Sequence, residues 1–279
     1  MSATLTATSE SASAPAERPA YRVTFARVVR SEWSKFLSLR SSWITLAVAL
    51  FFLVFVGVMV AYRYNPADLR GPAADSRDAV DIALHGVPLA QLALGVLGVL
   101  ATAGEYTTGL IRSTLAAVPK RLPVLWSKTL IYFVVVFVVA TVGSFAAFLG
   151  GEGFLSGKKI ALTLGDAGVV RCLFGAGLYL ALAAVLGAAL GMLVRSVAGG
   201  IASLIGLLML LPITLDMLPS SWKVDVAPYL PGSEGAGASI FALHPSPNAL
   251  SAGAGLAVSV AWVVVALAAA AYRLLRSDS

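Results

Sequence analysis

GEYTTGLIRSTLAAVPKRLPVLWSK, residues 104–128, separates two strongly apolar runs and decides how the chain is laid out. Glu105 stands where the first run ends, a helix-compatible piece follows over 107–117, and Pro119 and Pro123 bracket Lys120 and Arg121. Proline disrupts a helix interior but is accepted in a first turn. The spacing therefore predicts a short helix, a break at 118–119 and a new helix starting near Pro123. A chain that only crossed a bilayer and returned would need a few residues here, not 25. Such an elbow suits a docking surface for a cytosolic partner. The same spacing equally fits a long turn whose lysines and arginines set topology.

On either side lie charge-free runs long enough to cross a bilayer. About 30 Å of hydrocarbon at 1.5 Å per residue takes roughly 20 residues. Runs of that length occur at 41–62, 82–104, 129–151, 172–194 and 196–215, with a sixth at 250–272. The fourth and fifth are separated by little more than Arg195 and Ser196. The chain is 58% hydrophobic and 12% charged, and its mean hydropathy is +0.87. Soluble domains carry about one quarter charged residues. The expected fold is an all-α integral membrane protein whose six transmembrane helices occupy 41–272. An even count puts both termini on one side. With the termini inside, 13 of the 20 Lys and Arg residues are internal, which predicts a multi-pass protein of the cytoplasmic membrane with cytosolic termini.

Before the first run, residues 1–20 are rich in Ser, Ala and Thr and are expected to be disordered. From 21 to 40 the pattern changes. Phe25, Val28, Val29, Trp33, Phe36 and Leu37 recur at helical spacing, opposed by Arg27, Arg30, Ser34, Lys35 and Ser38, with Arg40 at the end. This predicts an amphipathic helix lying in the headgroup region. The segment 219–249, on the outer side, holds five prolines among apolar residues. Prolines prevent a seventh span, and the apolar content exceeds that of a solvated loop. A re-entrant-like hairpin fits both facts, as does a proline-rich cover over the outer mouth. Residues 273–279 form a cytosolic tail.

Chemical motifs are sparse. The nearest string to a phosphate loop, GEGFLSGKKI at 151–160, has Glu152 in place of the first Gly and Lys159 in place of Ser or Thr. The sequence contains no H-E-x-x-H and no G-x-S-x-G. The lone Cys172 excludes a disulfide framework or cysteine metal site within the chain. His85 and His244 have no carboxylate or Cys at ligand spacing, so a metal site is not expected. Basic residues flank apolar runs and form no separate basic domain, which argues against nucleic acid as a partner. No run has a charge at its centre, which weakens a secondary transporter or channel acting alone. Such a carrier would need a broken helix at mid-membrane, and Pro212 marks a candidate break. Gly187 and Gly191, at G-x-x-x-G spacing, are candidate helix-packing positions.

Taken together, SEWSKFLSLRSSW at 31–43, the 104–128 block after the second span, the proline-rich stretch before the last span and the closing AYRLLRSDS resemble the membrane subunits of type 2 ABC exporters, in the small actinobacterial-type permease branch. The likeness covers almost everything after residue 21, and G-E-Y-x-x-G-x-I-R is its most specific part. The resemblance implies a permease with no enzymatic activity and no cofactor of its own. It would pair with a separate ATP-binding cassette subunit that carries ATP and Mg, and with a second permease copy, homo- or heterodimeric. It implies that 104–128 includes the helix that couples to the ATPase, with the N-terminal helix packed nearby. Within that block Glu105 and Arg112 would make charge-assisted bonds. Gly109 would permit close backbone approach, and Tyr106, Leu110, Ile111 and Leu115 would seat the helix. The transported compound would be amphipathic or hydrophobic: a drug, natural product, peptide or lipid. A subunit that recruits an ATPase without transporting anything has the same outline.

Overall fold

A computed structural model describes residues 24–65, 78–110, 122–215, 217, 220–233, 235–245 and 248–276. All regular elements among them are helical. A short amphipathic helix, α1 (Phe25–Ser38), precedes six helices long and apolar enough to cross a membrane. The chain is therefore a multi-pass membrane protein. The expected helix over 107–117 and the break at 118–119 fall largely outside the described residues.

The first span, α2 (Arg40–Arg63), is bounded by its two arginines and contains no charge between them. The second starts one step earlier than hydropathy suggests. Asp78 accepts hydrogen bonds from the amides of Val80 and Asp81 at 2.8 and 2.9 Å and so caps α3 (Ala79–Ala83). A single 3₁₀ turn, Leu84–Gly86, leads into α4 (Val87–Thr107) with Pro88 in its first turn. Carboxylates are preferred at that capping position because they satisfy orphan amides.

The third span, α5 (Leu122–Leu155), opens with Pro123 in its first turn and has 34 residues. At 1.5 Å per residue it is ~51 Å long, well beyond the ~30 Å hydrocarbon layer. Its first turns pack against α1 through Lys128 and Tyr132.

The fourth span, α6 (Val169–Val194), stops at Arg195, which adopts a left-handed conformation with φ 60°. Ser196 then caps α7 (Val197–Ile205) by accepting from the Gly199 amide at 3.3 Å. This two-residue reversal makes the fourth and fifth spans antiparallel. The fifth is irregular: α7 passes through a π-helical stretch, Gly206–Leu210, into α8 (Leu211–Leu215). Pro212 has no amide to donate, and its ring crowds the carbonyl four residues back. Widening the preceding turn relieves that crowding.

The connection after the fifth span includes α9 (Ser220–Asp225), a 3₁₀ turn at Ala227–Tyr229 and α10 (Ala236–Phe241), before the sixth span, α11 (Ala252–Arg276). Glycines allow α10 to wedge between α6 and α11. A Cβ at Gly175 would lie 2.4 Å from the Ile240 carbonyl oxygen, and one at Gly255 would lie 2.6 Å from that of Ala236.

Among the spans, α4 and α6 are the most buried and form the centre of the bundle. Gly187 of α6 lies against the backbone of Gly95, and Gly191 against Thr102 and Val99. Across the same seam, the Thr102 hydroxyl donates to the Ala188 carbonyl at 2.9 Å. The small-residue pair thus seals two spans of one chain together. With little hydrophobic drive between helices inside lipid, such close backbone approach is what holds them.

Candidate functional site

Four charged side chains converge beside the 104–128 segment, at the end of the bundle where α1 lies. Glu32 and Lys35 come from α1, Glu105 from the last turns of α4, and Lys128 from the first turns of α5. The Lys128 ammonium lies 2.7 Å from Glu32 Oε2 and 2.9 Å from Glu105 Oε1. Lys35 closes the ring, at 2.6 Å from Glu32 Oε1 and 3.2 Å from Glu105 Oε1. Glu32 and Lys128 are almost completely sealed, with 4% of each side chain exposed. Two cations and two anions leave the group electrically neutral, which makes its burial tolerable.

Local sequence explains the arrangement. On α1 the buried residues are Val28, Glu32 and Phe36, four apart and so on one face. Phe36 is 1% exposed and packs edge-on against Tyr132 of α5, ring centroids 5.2 Å apart. Phe25, Trp33 and Leu37, on the apolar face expected to meet the headgroup region, are about half exposed. The inward face is carried by Val28, Glu32 and Phe36. Lys35, expected to face headgroups, turns to Glu105 instead. Arg40 is exposed at the start of α2.

Burial alone would raise the Glu32 carboxyl. The charges and hydrogen bonds of Lys128, then Lys35, outweigh it and hold its pKa below the ordinary 4.5. Glu105 is less complete: its Oε2 is buried and has no hydrogen-bond partner among the described residues. Such an atom forgoes a bond that water would supply.

Of the block residues singled out by sequence, the structure describes Glu105, Tyr106, Gly109 and Leu110. Ile111, Arg112 and Leu115 lie outside the described residues. Tyr106 is half-buried, with the Arg195 guanidinium 5.1 Å from its ring centre. Gly109 has φ 73°, and among the described residues nothing lies within 4 Å of an added Cβ. It ends α4 in the left-handed region, its amide donating to the Tyr106 carbonyl at 3.3 Å. Leu110 is 57% exposed. Glu32 and Lys128 carry no signal of this role in the sequence. Each reads there as one charge near a span end, and nothing local says that they meet.

At the opposite end a second polar group is buried. The Tyr179 hydroxyl donates to Gln91 Oε1 and lies 3.2 Å from the Pro231 carbonyl oxygen, while Gln91 Nε2 donates to Ser233 at 3.2 Å. This ties α4, α6 and the 230–243 stretch together. Nearby, His244 Nδ1 pairs with Asp78 Oδ2 at 3.0 Å beside a cavity of about 410 Å³, also lined by Asp81, His85 and Phe241. Among the described residues no group of three or more His, Cys, Asp or Glu is placed to hold a metal ion. Comparison with family models and with curated proteins finds no match for the chain.

Proposed function

We propose that this chain is the permease subunit of an ATP-driven exporter in the cytoplasmic membrane. Its α1 end faces the cytosol and receives a separately encoded ATP-binding subunit, which supplies ATP and Mg. Two permease copies assemble with it and move an amphipathic or hydrophobic compound outward. One observation carries this reading. The two feet of the 104–128 segment, Glu105 and Lys128, are bonded to each other and to Glu32 of α1. A push on the segment would then reach α1, α4 and α5 as one unit. A loose topological turn has no need of a buried, neutral ion network at its base.

A second reading is a carrier that works alone. The observation favouring it is the π-helical stretch before Pro212, which interrupts the fifth span near the buried Gln91 and Ser233. Accumulation of a fluorescent amphipathic compound in inverted membrane vesicles separates the two. The exporter reading expects uptake that requires ATP and survives collapse of the ion gradients. Uptake that follows an ion gradient without ATP supports the lone carrier. If the chain co-purifies with no protein bearing a Walker loop, the exporter reading fails.

A further inference from the structure

The ends of α6 and α11 hold three guanidinium groups arranged unlike the charges around Glu32. Arg195 donates to the Arg273 carbonyl at 3.4 Å and stands over the Tyr106 ring. Arg273 donates to the Leu193 carbonyl, and Arg276 lies 4.6 Å from the centre of the Tyr272 ring. Among the described residues no carboxylate is within 4 Å of any of them. Carbonyls at helix C-termini and the faces of tyrosine rings offer only partial negative charge. Among the described residues these three positive charges therefore have no carboxylate against them, whereas the Glu32–Lys35–Glu105–Lys128 group cancels its own.

Among the described residues Arg195 Nε and the Tyr106 hydroxyl are both buried, and the Arg195 guanidinium is the hydrogen-bonding neighbour of that hydroxyl. Arg195 stands in a left-handed conformation that a glycine would adopt without strain. Arg273 and Arg276 are exposed, and so is Tyr272 at 57%. The site lies at the polar end of two apolar spans, the depth at which lipid phosphates sit. Arginine forks match phosphate oxygens in pairs, and basic pockets between spanning helices take phospholipid headgroups.

We propose that Arg195, Arg273 and Arg276 bind the phosphate of an anionic phospholipid, clamped between the ends of the fourth and sixth spans. The test uses the purified full chain in detergent, with retained lipid counted by native mass spectrometry as phosphatidylglycerol or phosphatidylcholine is added. Phosphatidylglycerol should be retained in preference. At roughly 1 kcal/mol per basic residue, each arginine removed should weaken retention by about fivefold. Arg276→Gln alone is informative, because among the described residues the Arg276 guanidinium lies over the exposed Tyr272 ring and against no carboxylate; Arg273→Gln/Arg276→Gln should lose more. Lys159→Gln, exposed at the other end, should change nothing. Equal retention of both lipids, or unchanged retention by the double variant, overturns the proposal. A third arm adds inorganic phosphate at millimolar concentration. If phosphate displaces the lipid completely, the corner is a site for soluble anions and the lipid assignment is wrong.

Discussion

Lys128 illustrates how one residue changes meaning between sequence and structure. In sequence it is a basic residue at a span border, the usual topological signal. In the structure it is a sealed cation between two carboxylates that reach it from separate helices. Removing one member of a buried pair strands the other, at a typical cost of about 3–5 kcal/mol. Lys128→Met should therefore lower the unfolding temperature of the purified protein markedly. Glu32→Gln/Lys128→Met should lose less than the two single losses combined, and strict additivity would show that the pair is not coupled. Acid should act on the same group. The Glu32 pKa is lower folded than its ordinary 4.5, so its stabilisation is fully present above that value. It is lost as pH falls through the folded pKa. Melting curves recorded from pH 7 downward should drop below about pH 4.5, and the drop should be shallower in Glu32→Gln.

Among the elements, α1 has an anchoring different from that of an ordinary interfacial helix. Its grip on the bundle is Phe36 against Tyr132, together with Glu32, rather than the broad apolar face that periodicity suggests. Deleting a buried phenyl ring costs about 3–5 kcal/mol, so Phe36→Ala should destabilise the protein strongly. Trp33→Ala, at a position 42% exposed, should cost much less in detergent. Equal losses would mean that α1 is held by its apolar face as a whole. The seam between α4 and α6 is more demanding still. A Cβ at Gly187 would lie 2.0 Å from the Gly95 carbonyl oxygen. Gly187→Val should force the two spans apart and reduce the folded yield in membranes, whereas Gly153→Val, with open space around it, should express normally.

For the molecule as a whole, the remaining question of orientation has a direct test. Single cysteines at Ser38 and Ser156, with Cys172 replaced, should respond oppositely to an impermeant thiol reagent in intact cells. Ser156 should be labelled and Ser38 shielded; the reverse pattern would place α1 outside and remove the basis for cytosolic coupling. The six spans were legible because a bilayer imposes a length and a polarity that a linear string displays, and runs bounded by charges such as Arg40 and Arg63 meet both. The turn at Arg195 and Ser196 and the helix start at Pro123 were legible for the same local reason. What only the tertiary structure decided is which distant residues meet. Glu32 lies far from Glu105 and Lys128 in sequence, and no local rule scores their encounter. Likewise Gly187 and Gly191 show a packing motif but not its partner, which could have been a second chain and is instead α4. Periodicity reports which residues avoid water. Inside a membrane, where lipid and protein are equally apolar, it does not report which of them face protein, and close packing and buried charge settle that in three dimensions.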